Sequence, residues 1–270
     1  MPVLTAFIFS CRDLEEMNIN PNGVDPAVAH PNLLLSTIVT STGQQVVDLG
    51  FGDIAGVMQH TQKDGWSGGH NGYDWSTSQT WGSYYSILRN VDEMYKKAVE
   101  MELEFHQGVA LVMKSYVFGL ITDLWGDAPY SQALKGEQGG GENFKPAFDS
   151  QADIYAGILS DLESANTLFS GNQGDYEGVS PVQDLLFEGD VENWRKFANS
   201  LALRYYMRLS EKDPSTAQAG IEKIVGDQDG YPIILDANDD VVMDYPGAST
   251  ADSWPTRSPP TPSPPAQRPP

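Results

Sequence analysis

The chain has 270 residues, of which 40% are hydrophobic and 20% charged, and its 37 acidic and 16 basic residues give a formal net charge of −21. So acidic a surface repels phosphate groups, which argues against binding to nucleic acid and against a polybasic membrane role. No apolar run approaches the roughly 20 residues that span a bilayer, and a single cysteine, Cys11, rules out a disulfide framework or a cysteine-based zinc site.

The N-terminal segment has the layout of a bacterial lipoprotein signal. A short apolar stretch ends at Ser10–Cys11 and is followed by a polar, acidic run. In such signals the thiol receives the lipid and becomes the mature N-terminus. We therefore predict that residues 1–11 are a lipoprotein signal remnant with Cys11 as the lipidation site, and that residues 12–31, rich in Asn, Pro and Gly, form a tether. A structural cysteine buried near the terminus is the alternative.

From residue 32 onward the apolar residues recur with a helical period. The first predicted element is an apolar-rich segment, Leu33–Met58, with breaks near Gly43 and Gly50. Two helices follow between Trp81 and Trp125, and we expect them to separate near Phe105–Gly108. We then predict a helix capped by Ser150 with Asp153, a helix capped by Asp190, and a short helix from Asp213–Pro214 to Val225. Only Ile233–Leu235 and Val241–Met243 have the pattern of strands.

Helices of this length joined as hairpins predict an all-α fold with tetratricopeptide-like packing and long irregular loops. We assign the folded domain to residues 32–253. Residues 254–270 are then a Pro-rich disordered tail, because half of the residues from Pro255 to Pro270 are proline and none is aromatic. That tail is either a PxxP ligand or a non-native segment on a truncated chain.

Four motifs occur in a fixed order along the chain. The first is the Cys11-x-Asp13-Leu14 start with Asn20-Pro21-Asn22, and the second is the segment Thr122–Leu134 (TDLWGDAPYSQAL). The third is the helix opening Lys145–Tyr155 (KPAFDSQADIY), and the fourth is Gly189-Asp190 followed by Trp194–Leu201 (WRKFANSL). Together these motifs resemble the SusD/RagB family of nutrient-binding outer-membrane lipoproteins.

The resemblance implies a tetratricopeptide-like scaffold packed against a more irregular region. It also implies non-catalytic capture of a nutrient, most simply an oligosaccharide, by a lipid-anchored protein on the cell-surface side of the outer membrane. The implied partner is a TonB-dependent transporter of the SusC type, which receives the nutrient. Family members are considerably longer, so we expect the chain to be truncated before the family's C-terminal irregular region. The alternative function is a tetratricopeptide-type adaptor that binds peptide segments.

The best candidate for ligand contact is the loop between Trp66 and Trp81. Its aromatic and polar side chains lie among glycines without a period that would bury them: Trp66, Asn71, Tyr73, Asp74 and Trp75. Aromatic faces stack on the apolar face of a sugar ring, while Asn and Asp bond its hydroxyls. The alternative is that these rings fold back to fill a gap between helices.

The other motifs are predicted to be structural. Gly126 stands where a helix ends and Pro129 prevents its continuation, so Trp125 and Tyr130 should pack over the helix end. Trp194 lies in an apolar stripe at helical spacing and should be buried.

We predict no catalytic residue, no cofactor and no metal site. The spacing of Asp123 and Asp127 is expected by chance in so acidic a chain, and no nucleophile elbow, HExxH or phosphate loop is present. A cation held by Asp236, Asp239 and Asp240 stays an open alternative, although the spacing lacks the features of an EF-hand.

Overall fold

The computed structural model describes residues 29–50, 54–62, 80–245 and 247–248. Within these ranges the structure is helical, and the only β pairing is an isolated bridge between Ala128 and Asp149. The α-helices are α1 (Asn32–Leu49), α2 (Ala55–Val57), α3 (Gly82–Glu100), α4 (Glu104–Trp125), α5 (Gly141–Phe144), α6 (Gln151–Leu168), α7 (Val191–Leu209) and α8 (Pro214–Gly226). The predicted all-α class is confirmed for this part of the chain.

The long helices pack in chain order, as in tetratricopeptide repeats. Helix α1 packs on α3, α3 on α4, α4 on α6, α6 on α7, and α7 on α8. Helix α4 is the centre of the fold, because it contacts α1, α3, α6 and α7. Its apolar side chains are therefore buried almost all round rather than along one stripe.

Helix α4 is also long and apolar enough to cross a membrane by length and composition alone. However, 67% of its most apolar window is buried inside the protein. A core helix of a folded domain passes the same test, so we assign α4 to the core.

The three helix starts predicted from side-chain caps are confirmed. Ser150 accepts a hydrogen bond from the backbone N–H of Asp153, Asp190 from that of Asn193, and Asp213 from that of Thr216. Each cap satisfies a backbone donor that the first turn of a helix leaves free. Pro214 occupies the first turn of α8, where its missing N–H costs nothing.

Two glycines that suggested helix breaks lie inside helices instead. Helix α1 runs through Gly43, and the break between α3 and α4 falls at Met101–Leu103 rather than at Phe105–Gly108. At Gly108 a Cβ atom would overlap the ring of Phe169, so the glycine is there to let α6 approach. The same contact of a helical glycine with an aromatic ring recurs at Gly119 with Tyr205, Gly157 with Tyr130 and Gly220 with Tyr206.

The two predicted strands are wrong, since residues 233–235 and 241–243 form no β pairing in the described part of the chain. At residues 233–235, side chains accept hydrogen bonds from the backbone in place of a partner strand. The N–H of Ile234 donates to Ser200 Oγ at 2.8 Å, and the N–H of Leu235 approaches Asp239 Oδ2 at 3.4 Å.

The WRKFANSL motif holds this irregular segment against the helices. Arg195 donates to the carbonyl of Gly230 at 2.7 Å, Asn199 to that of Pro232 at 3.0 Å, and Lys196 pairs with Asp239 at 2.8 Å. The polar residues of the motif therefore hold residues 230–239 against α7. This role explains why the motif contains polar residues as well as a buried apolar stripe.

Candidate functional site

The WGDAPY segment forms a locked turn between α4 and α6. Helix α4 ends at Gly126, whose φ of +75° and ψ of −121° suit glycine rather than a side-chain-bearing residue. The hydroxyl of Thr122 donates to the carbonyl of Gly126 at 2.8 Å, and Pro129 is buried. The ring of Tyr130 packs edge-on against Phe118 at 4.7 Å. The predicted structural role of this motif is confirmed.

Two carboxylates fasten the turn to the start of α6. Asp149 accepts from the backbone N–H groups of Tyr130 and Ser131 at 2.9 and 2.8 Å, and from the Ser131 hydroxyl at 2.7 Å. Burial raises the pKa of Asp149, but these hydrogen bonds outweigh it and hold that pKa below its ordinary value. Asp127 in turn accepts from the N–H of Gln151 at 2.9 Å.

Aromatic side chains from the start of α3, the end of α4 and the segment before α6 meet in a group that we call the aromatic cluster: Trp81, Tyr85, Trp125 and Phe148. Trp81 lies between the other three, with ring-centroid distances of 5.8 Å to Tyr85, 5.9 Å to Trp125 and 5.7 Å to Phe148. The ring of Phe148 is 61% exposed, whereas the other three are partly buried. Phe148 therefore presents aromatic surface to solvent at the edge of the cluster.

Tyr85 anchors the cluster from below. Its hydroxyl donates to the carbonyl of Pro129 at 2.6 Å, which ties α3 to the WGDAPY turn. Burial, with a smaller contribution from the negative charge of Asp149, raises the pKa of Tyr85 to about 12. The phenol is therefore neutral and donates at any physiological pH.

The residues predicted to contact ligand lie outside the described residues, as does the lipidation site. This holds for Trp66, Asn71, Tyr73, Asp74, Trp75 and Cys11. What the structure describes is the far end of that loop, where Trp81 enters the aromatic cluster. The pairing of Trp81 with Phe148 was missed at the sequence level, although the helix opening that contains Phe148 was identified as a motif.

Asp123 and Asp236, two of the carboxylates weighed for chemistry, have structural roles. Asp123 accepts from the hydroxyl of Tyr155 at 2.6 Å and pairs with Arg208 at 3.0 Å, which joins α4, α6 and α7. Asp236 caps a short 3-10 turn, Ala237–Asp239. In the part of the chain that the structure describes, no group of three His, Cys, Asp or Glu side chains could hold a metal ion.

Comparison with protein families and solved structures gives one consistent result. Residues 24–260 match the SusD-like family described as "starch-binding associating with outer membrane". An outer-membrane protein of Bacteroides vulgatus, for which a role in nutrient binding has been suggested, is 27% identical, with a TM-score of 0.64 over 84% of this chain and 46% of its own. No curated protein matches the chain.

Two further solved structures agree. A SusD homologue from Bacteroides fragilis is 26% identical, with a TM-score of 0.60 over 82% of this chain and 47% of its own. A SusD/RagB family protein from Bacteroides thetaiotaomicron is 25% identical, with a TM-score of 0.57 over 79% and 44%. The chain spans a little under half the length of these structures. Because the family match covers most of the sequence, this protein belongs to the SusD-like family.

Proposed function

We propose that this protein takes part in the non-catalytic capture of oligosaccharide at the outer-membrane surface and in its delivery to a TonB-dependent transporter of the SusC type. The observation that carries the proposal is the aromatic cluster, which is partly exposed and stands where the loop bearing Trp66 and Trp75 rejoins the helices. Membership of a family described as starch-binding supports the choice of carbohydrate.

The chemistry of the cluster suits a sugar ring. Pyranose rings have an apolar face of C–H groups that stacks on an aromatic side chain, and Phe148 offers such a face to solvent. One stacked ring contributes on the order of 1 kcal/mol, so a useful site needs at least two rings together with hydrogen bonds. We propose that Trp66, Tyr73 and Trp75 supply further rings, and that Asn71 and Asp74 supply the hydrogen bonds.

Binding of oligosaccharide by the full chain tests the proposal. Calorimetry with maltooligosaccharides and a panel of other glycans should give dissociation constants on the order of millimolar. Trp66→Ala, Trp75→Ala and Phe148→Ala should each weaken binding about fivefold to tenfold, because each removes one stacking face.

Tyr231→Ala is the matched control. It removes an aromatic ring that lies under Lys223 on α8 and takes no part in the aromatic cluster, so its binding should equal that of the parent. If Trp66→Ala, Trp75→Ala and Phe148→Ala all keep the parental circular dichroism and all bind like the parent, the loop and cluster serve packing.

The second candidate is an adaptor that binds peptide segments, which is favoured by the tetratricopeptide-like packing of α1 to α8. A panel of peptides in the same calorimeter separates the two functions. Binding confined to peptides, with no response to any glycan, would support the adaptor and reject oligosaccharide capture.

We propose lipid anchoring from the N-terminal motif, and the proposal gives its own prediction. In a Gram-negative host, the protein should partition into the detergent phase because Cys11 carries acyl chains, and Cys11→Ala should move it to the aqueous phase. Circular dichroism of both forms serves as the control for the helical fold. Equal partitioning of both forms would reject the anchor.

A further inference from the structure

A pocket in the described part of the chain is separate from the aromatic cluster in the residues that line it. It has a volume of about 580 Å³ and is bounded by α1, α4, α7 and the segment Val241–Tyr245. Pockets that hold small molecules measure about 300–1,000 Å³. The pocket shares no residue with the aromatic cluster.

The walls of the pocket are largely aliphatic. Val39, Val46 and Val47 of α1 and Phe197 of α7 line it. Two methionines also line it, Met113 from α4 and Met243 from the segment Val241–Tyr245. Since methionine is unbranched and flexible, such walls adapt to an alkyl chain more readily than to a rigid polar molecule.

Two polar groups at the pocket have no hydrogen-bond partner among the described residues. Neither the guanidinium of Arg204 nor the hydroxyl of Tyr116 makes a hydrogen bond or ion pair with any residue in the described ranges. They are close enough to interact electrostatically: burial raises the pKa of the Tyr116 phenol, and the positive charge of Arg204 opposes that rise. The two other hydroxyl groups that line the pocket already donate hydrogen bonds. Thr42 donates to the carbonyl of Ile38 at 2.7 Å, and Tyr245 donates to the sulfur of Met243 at 3.1 Å.

We infer that this pocket binds an amphipathic carboxylic acid, such as a fatty acid. The carboxylate accepts hydrogen bonds from Arg204 and Tyr116, and the alkyl chain lies against the valines and methionines. A guanidinium and a carboxylate form the stronger, charge-assisted type of hydrogen bond. A neutral sugar has no charge to pair with Arg204, and an organic cation would be repelled by it. The inference is independent of oligosaccharide capture, which uses the aromatic cluster.

The test is calorimetric titration of the full chain with sodium dodecanoate below its micelle concentration. We expect one binding site. Butyrate, which has the same head group but little tail, and dodecyltrimethylammonium, which has the same tail but a positive head group, should each bind at least tenfold more weakly. Oligosaccharide binding to the aromatic cluster should be unchanged by dodecanoate.

Single substitutions locate the site. Arg204→Gln should weaken dodecanoate binding at least tenfold and Tyr116→Phe several-fold, because each removes a donor to the carboxylate and leaves the alkyl contacts intact. Arg89→Gln is the matched control, since Arg89 is an exposed arginine of α3 that does not line the pocket. Val46→Phe should reduce binding by filling the pocket from α1.

Two results would overturn the inference. The first is parental affinity for dodecanoate in Arg204→Gln, which would mean non-specific adsorption of the alkyl chain. The second is the absence of binding to the folded parent, which would mean that the pocket is covered by a polypeptide segment rather than open to a small molecule.

Discussion

Replacing Trp194 by alanine should lower the free energy of unfolding by about 3–5 kcal/mol, the range observed when a large buried aromatic side chain is truncated. The side chain is fully buried on the inner face of α7. Its ring packs edge-on against Phe187 at 5.2 Å and lies against Phe197 at 6.1 Å. Alanine would therefore leave a cavity between α7 and the segment that precedes it.

The substitution also removes a partner of a buried carboxylate. Asp184 is 1% exposed and accepts from Trp194 Nε1 at 2.7 Å, as well as from the backbone N–H groups of Leu186, Phe187 and Gly189. Loss of one donor to a buried charge adds to the cost of the cavity. Trp194→Phe removes the same donor but keeps one aromatic ring and so leaves a smaller cavity, and it should cost less than Trp194→Ala.

Urea denaturation followed by circular dichroism measures these changes. Phe148→Ala provides the control: its ring is 61% exposed, so the loss should stay below about 1 kcal/mol. A cost below about 1 kcal/mol for Trp194→Ala would mean that α7 does not bury this face.

The helices were predictable where their signals are local. Ser150, Asp190 and Asp213 each cap a helix through a hydrogen bond to a residue three positions later, so the sequence alone contains both partners. The burial of Trp194 was predictable for a similar reason, because its neighbours at helical spacing are apolar.

Features that depend on distant partners were not predictable. Gly108 has the composition of a helix break, but its role is to admit the ring of Phe169, which lies 61 positions further along. Residues 233–235 have the pattern of a strand, but the backbone there is held by the side chains of Ser200 and Asp239. At such positions the intrinsic secondary-structure propensity of the residues is outweighed by tertiary contacts, which a single sequence does not reveal.

The candidate site likewise has one part that was predictable from the sequence and one part that was not. The aromatic and Gly-rich character of the loop between Trp66 and Trp81 marked the region as a ligand candidate, whereas the convergence of Trp81, Trp125 and Phe148 emerged only from the fold. Phe148 is brought to Trp81 by the Ala128–Asp149 bridge and the hydrogen bonds of Asp149. These contacts close the long connection between α4 and α6, and no periodicity in that connection encodes them.

Lowering the pH should have the second large effect on the free energy of unfolding. His106, in the first turn of α4, is fully buried, and its Nε2 lies 2.6 Å from Asn32 Oδ1 at the start of α1. Asn32 donates through Nδ2 to the carbonyl of Gly178 at 2.7 Å, so its Oδ1 must be the acceptor and His106 donates from Nε2. The Nδ1 atom of His106 has no hydrogen-bond partner among the described residues, and the ring of His30 stands edge-on at 5.3 Å.

This environment favours the neutral imidazole. Burial, followed by repulsion from His30, lowers the pKa of His106 from 6.5 to about 4. A proton on Nδ1 would place an unpaired donor and a positive charge in the core between α1, α4 and the loop at Gly178. The unfolded chain carries no such restriction and binds the proton below its ordinary pKa.

The free energy of unfolding should therefore fall as the pH is lowered from about 6.5 towards 4. The slope approaches about 1.4 kcal/mol per pH unit, and the total loss from this residue is about 3 kcal/mol, because only the unfolded chain binds the proton in that window. Below about pH 4 both states bind it, so this contribution levels off. Urea denaturation at half-unit pH intervals measures the curve.

His106→Gln isolates the effect from that of the carboxylates. The glutamine amide can still donate to Asn32 and has no titration in this range, so the variant loses some stability at pH 7 but should lack the decline between pH 6.5 and 4.5. Asp149 and Glu163, whose pKa values are held below their ordinary values by hydrogen bonds in spite of burial, add acid sensitivity at lower pH in both proteins. Parallel curves for parent and variant from pH 6.5 to 4.5 would show that His106 accepts its proton in the folded state, and hence that the junction of α1 with α4 opens to water.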